Sequence, residues 1–147
     1  KISECADDAA KAMMRNLSDI GLRQLIPRLV QGLQSDQTKK RTPALAFIGY
    51  VAFCSPKQLA ATLPNIMRHI CECLFDANSS VSNAAYTALK RVAGVVSNPE
   101  IQEHVDAILS AMRLPSTETE SALDALLYTR FVNAVDPASL ALIIPVI

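Results

Sequence analysis

Leu25-Ile26-Pro27-Arg28-Leu29-Val30 is the stretch that makes the rest of the chain legible. It sets a proline inside an apolar run of helical spacing. Variants of the same pattern follow at Leu63-Pro64-Asn65-Ile66-Met67, Val105-Asp106-Ala107-Ile108-Leu109 and Ile144-Pro145-Val146-Ile147. The marker positions Pro27, Pro64, Asp106 and Pro145 are therefore 37, 42 and 39 residues apart. Between markers, apolar residues recur every three or four positions, the period of amphipathic helices. Short polar turns such as Ser35-Asp36 and Asp76-Ala77-Asn78 divide each interval into two such helices.

A helical pair repeating at about 40 residues is the sequence mark of HEAT and armadillo arrays, longer than the ~34 of tetratricopeptide units. Two helices per unit and a proline in the first favour HEAT. The expectation is an all-α solenoid segment of about three to four repeats, with residues 1–147 as one unit. Its provisional divisions are 1–18, the second helix of a preceding repeat, then 20–55, 56–97, 98–135, and 136–147 as the start of the next. A single helical pair cannot bury its apolar face, so stacked pairs share one core. The chain opens at Lys1 already in a helical pattern and stops at Ile147 within the apolar run 140–147. This implies a fragment of a larger array.

The helices expected from the apolar stripes are Ser3–Leu17, Leu22–Gln34, Thr38–Cys54, Pro56–Phe75 (in one piece or two around Pro64), Ser80–Val96, Pro99–Met112 and Thr117–Val132. A last one begins near Pro137. The first carries Ala6, Ala9, Ala10, Met13, Met14 and Leu17 on its stripe. Ser55-Pro56, Asn98-Pro99 and Asp136-Pro137 each put a capping side chain before a proline suited to the first helical position. Ser116 or Thr117 with Glu120 resembles a capping box. Pro43 either starts the third helix or kinks it.

Composition agrees with this architecture. The 147 residues include 21 Ala and 17 Leu, half are hydrophobic, only 5% are aromatic, and Trp is absent. Disorder is excluded by that hydrophobicity and by a net charge of zero, from 14 Lys+Arg against 14 Asp+Glu. No apolar run reaches the ~18 residues of a membrane span. Four cysteines without an N-terminal signal point to a reducing compartment. Cys71 and Cys73 diverge on a helix and cannot chelate one metal, and His69 and His104 have no matching ligand at helical spacing. No metal site and no cofactor is expected.

Catalytic motifs are missing as well. Gly21, Gly32, Gly49 and Gly94 are isolated, so no phosphate loop forms, and no zinc-protease or nucleophile-elbow motif is present. Asp7 and Asp8, adjacent on a helix, diverge by about 100° and do not share a proton. A non-enzymatic role follows. The candidate binding residues are cationic: Lys39, Lys40 and Arg41 at a helix start, where positive charge opposes the dipole, and Lys90 and Arg91 near a helix end. Such clusters suit RNA phosphates or an acidic protein face. Neither has an aromatic beside it in sequence, so base stacking has no evident platform. Phe47, Phe53, Phe75, Tyr86, Tyr128 and Phe131 fall on apolar stripes and are expected in the core, whereas Tyr50 has no assignment.

Several motifs occur in one order: Asp7-Asp8-Ala9-Ala10-Lys11-Ala12-Met13, Ser55-Pro56-Lys57-Gln58-Leu59 with Leu63-Pro64, Asn98-Pro99-Glu100-Ile101, Phe131-Val132-Asn133, and Asp136-Pro137-Ala138-Ser139-Leu140 through Pro145. Together they resemble the central HEAT region of the general-control translational activator family, which is similar to the N-terminal HEAT domain of fungal elongation factor 3. The resemblance spans essentially the whole chain. It implies a cytoplasmic, non-catalytic scaffold that sits on ribosomes, engages an ABC-type ATPase partner, and supports activation of the initiation-factor-2-alpha kinase during amino-acid starvation. Contact with the kinase itself is expected outside this segment, and neither DNA nor a membrane is an expected partner. In such solenoids second helices line the concave face, which would present Lys39, Lys40, Arg41, Lys90 and Arg91. Two other readings stand beside this one: a generic HEAT adaptor of the transport-receptor kind, and the HEAT domain of an elongation-factor-3-like ATPase.

Overall fold

A computed structural model of the chain describes residues 2–16 and 18–147; of residues 2–4, 6, 7 and 19 it describes the backbone alone. Ala6 and Leu17 of the first apolar stripe, and Asp7 of the carboxylate pair, therefore lie outside the described side chains. The described residues form helices and no strand. The helices are α1 (Ile2–Arg15), α2 (Asp19–Leu33), α3 (Thr38–Cys54), α4 (Pro56–Leu74), α5 (Ser79–Ala93), α6 (Pro99–Gln102), α7 (Val105–Arg113), α8 (Pro115–Leu127) and α9 (Pro137–Ile143). A 3₁₀ turn, Ile144–Val146, continues α9.

Two hairpins, α2–α3 and α4–α5, stack as HEAT units, with α2 against α4 and α3 against α5. Pro27 and Pro64 occupy the ninth position of α2 and α4, and neither helix is split there. Pro43 stands inside α3, its ring exposed, so the helix begins at Thr38 and runs through the proline with one ladder bond fewer. Asn98 and Asp136 cap as expected, accepting from Ile101 N at 3.1 Å and Ser139 N at 2.7 Å. Ser55 makes no side-chain cap bond. The capping box fails too: α8 starts at Pro115 behind Leu114, leaving Ser116 and Thr117 inside its first turn.

The core is aliphatic. Leu45, Ile48, Leu59, Leu63, Ile66 and Leu89 are fully enclosed, each contributing about 1.5–3 kcal/mol by burial. Alanines such as Ala44, Ala85 and Ala88 fill the seams between helices. Close approach is sharpest at Gly32, where an added Cβ would sit 3.0 Å from Ala44 Cβ. No aromatic ring among the described residues belongs to the buried core. Phe53, Phe75, Tyr128 and Phe131 are exposed, and Phe47 and Tyr86 are half-buried. Helices held this near through alanine and glycine leave no room for rings between them, which corrects the reading of those stripes.

Beyond residue 98 the packing departs from a simple succession. The single helix expected over Pro99–Met112 is two, broken at Glu103-His104. His104 Nε2 is hydrogen-bonded to Thr129 Oγ1 at 2.6 Å, tying the start of α7 to the end of α8. The chain leaves the helical path after Leu127, not at Val132, and crosses α6 before α9 begins. α9 lies against α4, two units earlier in sequence, while α7 packs on α5 and α8.

Candidate functional site

Helices α3 and α5, 17 and 15 residues long, carry five cations and no Asp or Glu. In a chain of zero net charge this is a segregated face. The two helices run side by side in the same direction. Arg41 in the first turns of α3 meets Asp76 just before α5, and Gly49 further along α3 meets Ala88 and Arg91. The alignment separates the two cationic clusters instead of merging them. Lys39 and Lys40 are exposed at the leading end, and Lys90 and Arg91 lie level with Gly49, about 12 Å further along the axis at ~1.5 Å per residue.

Arg41 has a different role from its neighbours. Its Nη2 is 3.0 Å from Asp76 Oδ2, with both side chains largely enclosed. Asp76 Oδ1 also accepts from Asn78 N at 2.8 Å, so the pair fastens the α4–α5 turn to α3. A cation spent on this bridge is not available to a ligand.

At the trailing end, cations and rings interleave. Arg15 Nε donates to Tyr50 Oη at 2.6 Å, which gives Tyr50 the place that its sequence position leaves open. Tyr50 and Phe53 are tilted neighbours, their centroids 6.4 Å apart. Phe53 is 79% exposed. Across a hollow of about 420 Å³, lined by Gly49, Tyr50, Phe53, Arg91 and Gly94, the Arg91 side chain lies on Gly49. On the other side of α5, Tyr86 is flanked by Lys90 Nζ at 4.8 Å and Arg113 Cζ at 4.5 Å from its centroid. Among the described residues, none of Arg15, Lys90, Arg91 and Arg113 forms an ion pair with a carboxylate. The rings beside these cations therefore come from two helices, Tyr50 and Phe53 from α3 and Tyr86 from α5, with Arg15 of α1 and Arg113 of α7 brought against them. Tyr86 four residues before Lys90 is the one signal legible in sequence, because residues that far apart share a helix face.

A second hollow, about 770 Å³, runs between α4 and α9 and is almost wholly apolar, lined by Met67, Phe75, Leu140 and Ile144 with Cys71 at its side. Burial, helped by the charge of Glu72, pushes the Cys71 thiol up to about 11. Beside it the Glu72 carboxyl is held below its usual range by hydrogen bonds from Arg68 and His69. Among the described residues no three His, Cys, Asp or Glu side chains converge as metal ligands, and no helix is long and apolar enough to cross a membrane.

Stacked helical pairs of this kind define a HEAT-type α-solenoid segment, whose α3 and α5 carry cations and rings and no carboxylate. Residues 1–89 match the family of the EF3 N-terminal HEAT repeat. The chain belongs to that family. It is 38% identical over 146 residues to the stalled ribosome sensor GCN1 of Homo sapiens, covering 99% of this chain and 6% of that protein. With the eIF-2-alpha kinase activator GCN1 of Saccharomyces cerevisiae it shares 37% identity over 147 residues, again 6% of that protein's length. With elongation factor 3 of Mycosarcoma maydis it shares 24% over 147 residues, 14% of that protein.

Proposed function

We propose that this chain is a non-catalytic segment of a cytoplasmic translational activator, a HEAT scaffold that lies against ribosomes and supports activation of the initiation-factor-2-alpha kinase. The observation that carries the reading is identity of 37–38% along the whole chain with proteins named as a stalled ribosome sensor and a kinase activator. An ABC-type ATPase is a second partner of the same scaffold, a reading supported by the weaker likeness to elongation factor 3. That likeness also keeps open the alternative of an ATPase's own HEAT domain, though the higher identity favours the activator. Lys39, Lys40, Lys90 and Arg91 are the ribosome-facing candidates, and Arg41 supports them through Asp76.

Ribosome co-sedimentation across a salt series tests this. Pelleting that declines steeply with salt is expected, because cation–phosphate contacts release counterions. Lys39→Glu with Lys40→Glu, and separately Lys90→Glu with Arg91→Glu, should each weaken it in a folded chain. Arg41 is left intact because Arg41→Glu would face Asp76 and disturb the fold. A folded wild type that never pellets at low salt would overturn the ribosome reading.

A further inference from the structure

We infer that the trailing end of the α3–α5 face binds a short stretch of single-stranded RNA, with phosphates on Arg15, Lys90, Arg91 and Arg113 and a base stacked on Phe53. The choice of RNA over another polyanion rests partly on the ribosome reading above. The remainder rests on what the site contains.

A ligand for this surface has to answer two features at once. The first is positive charge: Arg15 and Arg91 flank the Phe53 hollow, Lys90 and Arg113 stand on Tyr86 on the other side of α5, none of the four is ion-paired among the described residues, and the two central helices carry no carboxylate. An acidic peptide or a phosphodiester backbone would satisfy that alone. The second is Phe53, a ring left 79% exposed beside the Arg91 hollow. A carboxylate-rich peptide gives it nothing to stack on. An unpaired base presents a π-face to the ring and lies within reach of the Arg91 guanidinium, while its own phosphates meet the flanking cations. Positive grooves with aromatic platforms are how single strands are held without sequence preference, each stacked base contributing about 1–3 kcal/mol. Tyr50 and Tyr86 are positioning residues: Tyr50 accepts from Arg15, and Tyr86 holds Lys90 and Arg113 on its faces. Duplex RNA offers no open base to Phe53, so the site discriminates by strandedness.

The test is fluorescence anisotropy of a labelled, unstructured oligouridylate with the 147-residue chain, from low to physiological salt. Wild type should bind, with affinity falling as salt rises. Phe53→Ala removes an exposed ring that supports no core contact, so the fold should stand. It is expected to weaken single-strand binding about tenfold while leaving duplex RNA binding unchanged. Arg91→Gln with Lys90→Gln should reduce the salt slope by about one for each phosphate no longer neutralised. The proposal is overturned by no anisotropy change at low salt, by Phe53→Ala binding as tightly as wild type, or by polyglutamate competing as well as RNA. Ribosome pelleting of the same variants separates the two readings. A wild type that pellets yet ignores free RNA sinks this inference alone. A wild type that binds RNA in a Phe53-dependent way yet never pellets sinks the ribosome reading alone.

Discussion

Glu100 and Asn133, 33 residues apart, form one hydrogen-bonded unit: Glu100 Oε1 accepts from Asn133 Nδ2 at 2.8 Å and from the backbone N–H of Val132 and Asn133, each at 3.1 Å. Asn98 Nδ2 adds a bond to Ala134 O. The non-helical chain after Leu127 is thereby fastened to α6 at Val132 and Asn133. Two short motifs, Asn98-Pro99-Glu100 and Phe131-Val132-Asn133, meet as partners, and the crossing segment delivers α9 to the side of α4. A hydrogen bond from its own backbone N–H, and after it the Asn133 and Val132 donors, hold the Glu100 carboxyl below its ordinary value against the opposing effect of burial.

That depressed carboxyl gives the junction a pH dependence. Its folded value lies below the ordinary 4.5, so its contribution is present above pH 4.5 and is lost as pH falls through the folded value. Glu100→Gln should therefore melt earlier than wild type at neutral pH, and the difference should shrink in acid. Paired thermal melts at neutral and acid pH check the sign.

Cys71 reports on the same junction from the far side. Half-buried along the hollow between α4 and α9 and pushed up to about 11, its thiol should label more slowly in the folded chain than the exposed Cys5. Loosening α9 by Glu100→Gln should speed labelling of Cys71 without changing that of Cys5. Site-resolved alkylation followed by mass spectrometry reads this out.

The Arg41–Asp76 bridge is a matter of stability. Removing either side chain should destabilise the chain by about 1 kcal/mol or more, since the partner is left largely enclosed. A double-mutant cycle by urea unfolding should return a coupling of at least ~0.5 kcal/mol. Lys39→Ala, at an exposed site, should stay within ~0.5 kcal/mol of wild type.

Gly32 and Gly49 separate two kinds of crowding. At Gly32 the obstacle is Ala44 Cβ at 3.0 Å on the hairpin partner, so Gly32→Ala must spread α2 from α3 and should cost about 1–3 kcal/mol. At Gly49 it is Arg91 Cδ, the middle of a flexible side chain, at 3.1 Å. Gly49→Ala should be near neutral for stability, as the helix-propensity gain of up to ~1 kcal/mol offsets the displacement of Arg91. Thermal melts compare the two.

Charge in the core should be graded by burial. Leu29 is 7% exposed and Leu126 only half-buried. Leu29→Asp should abolish cooperative melting by enclosing an unpaired carboxylate, whereas Leu126→Asp, with water near, should lower the midpoint and leave a transition. Circular dichroism distinguishes these outcomes.

Helix content and the pairing of α2 with α3 and of α4 with α5 were written in the sequence. Apolar period, capping residues and proline act over one or two turns, and α3 and α4 fall within a residue of their expected bounds. The cations of the candidate site were legible too, but not their fates. Arg41 is consumed by an aspartate 35 residues away, Tyr50 is matched to Arg15, and Phe53 is turned outward because alanine and glycine bring α3 and α5 too close to admit a ring. These outcomes depend on which helices become neighbours. So does the placement of α9 against α4, reached by a segment that Glu100 and Asn98 tie down from more than 30 residues away. Local periodicity determines that the chain forms stacked helices; contacts between residues far apart in sequence determine which surfaces face each other and which remain for a partner.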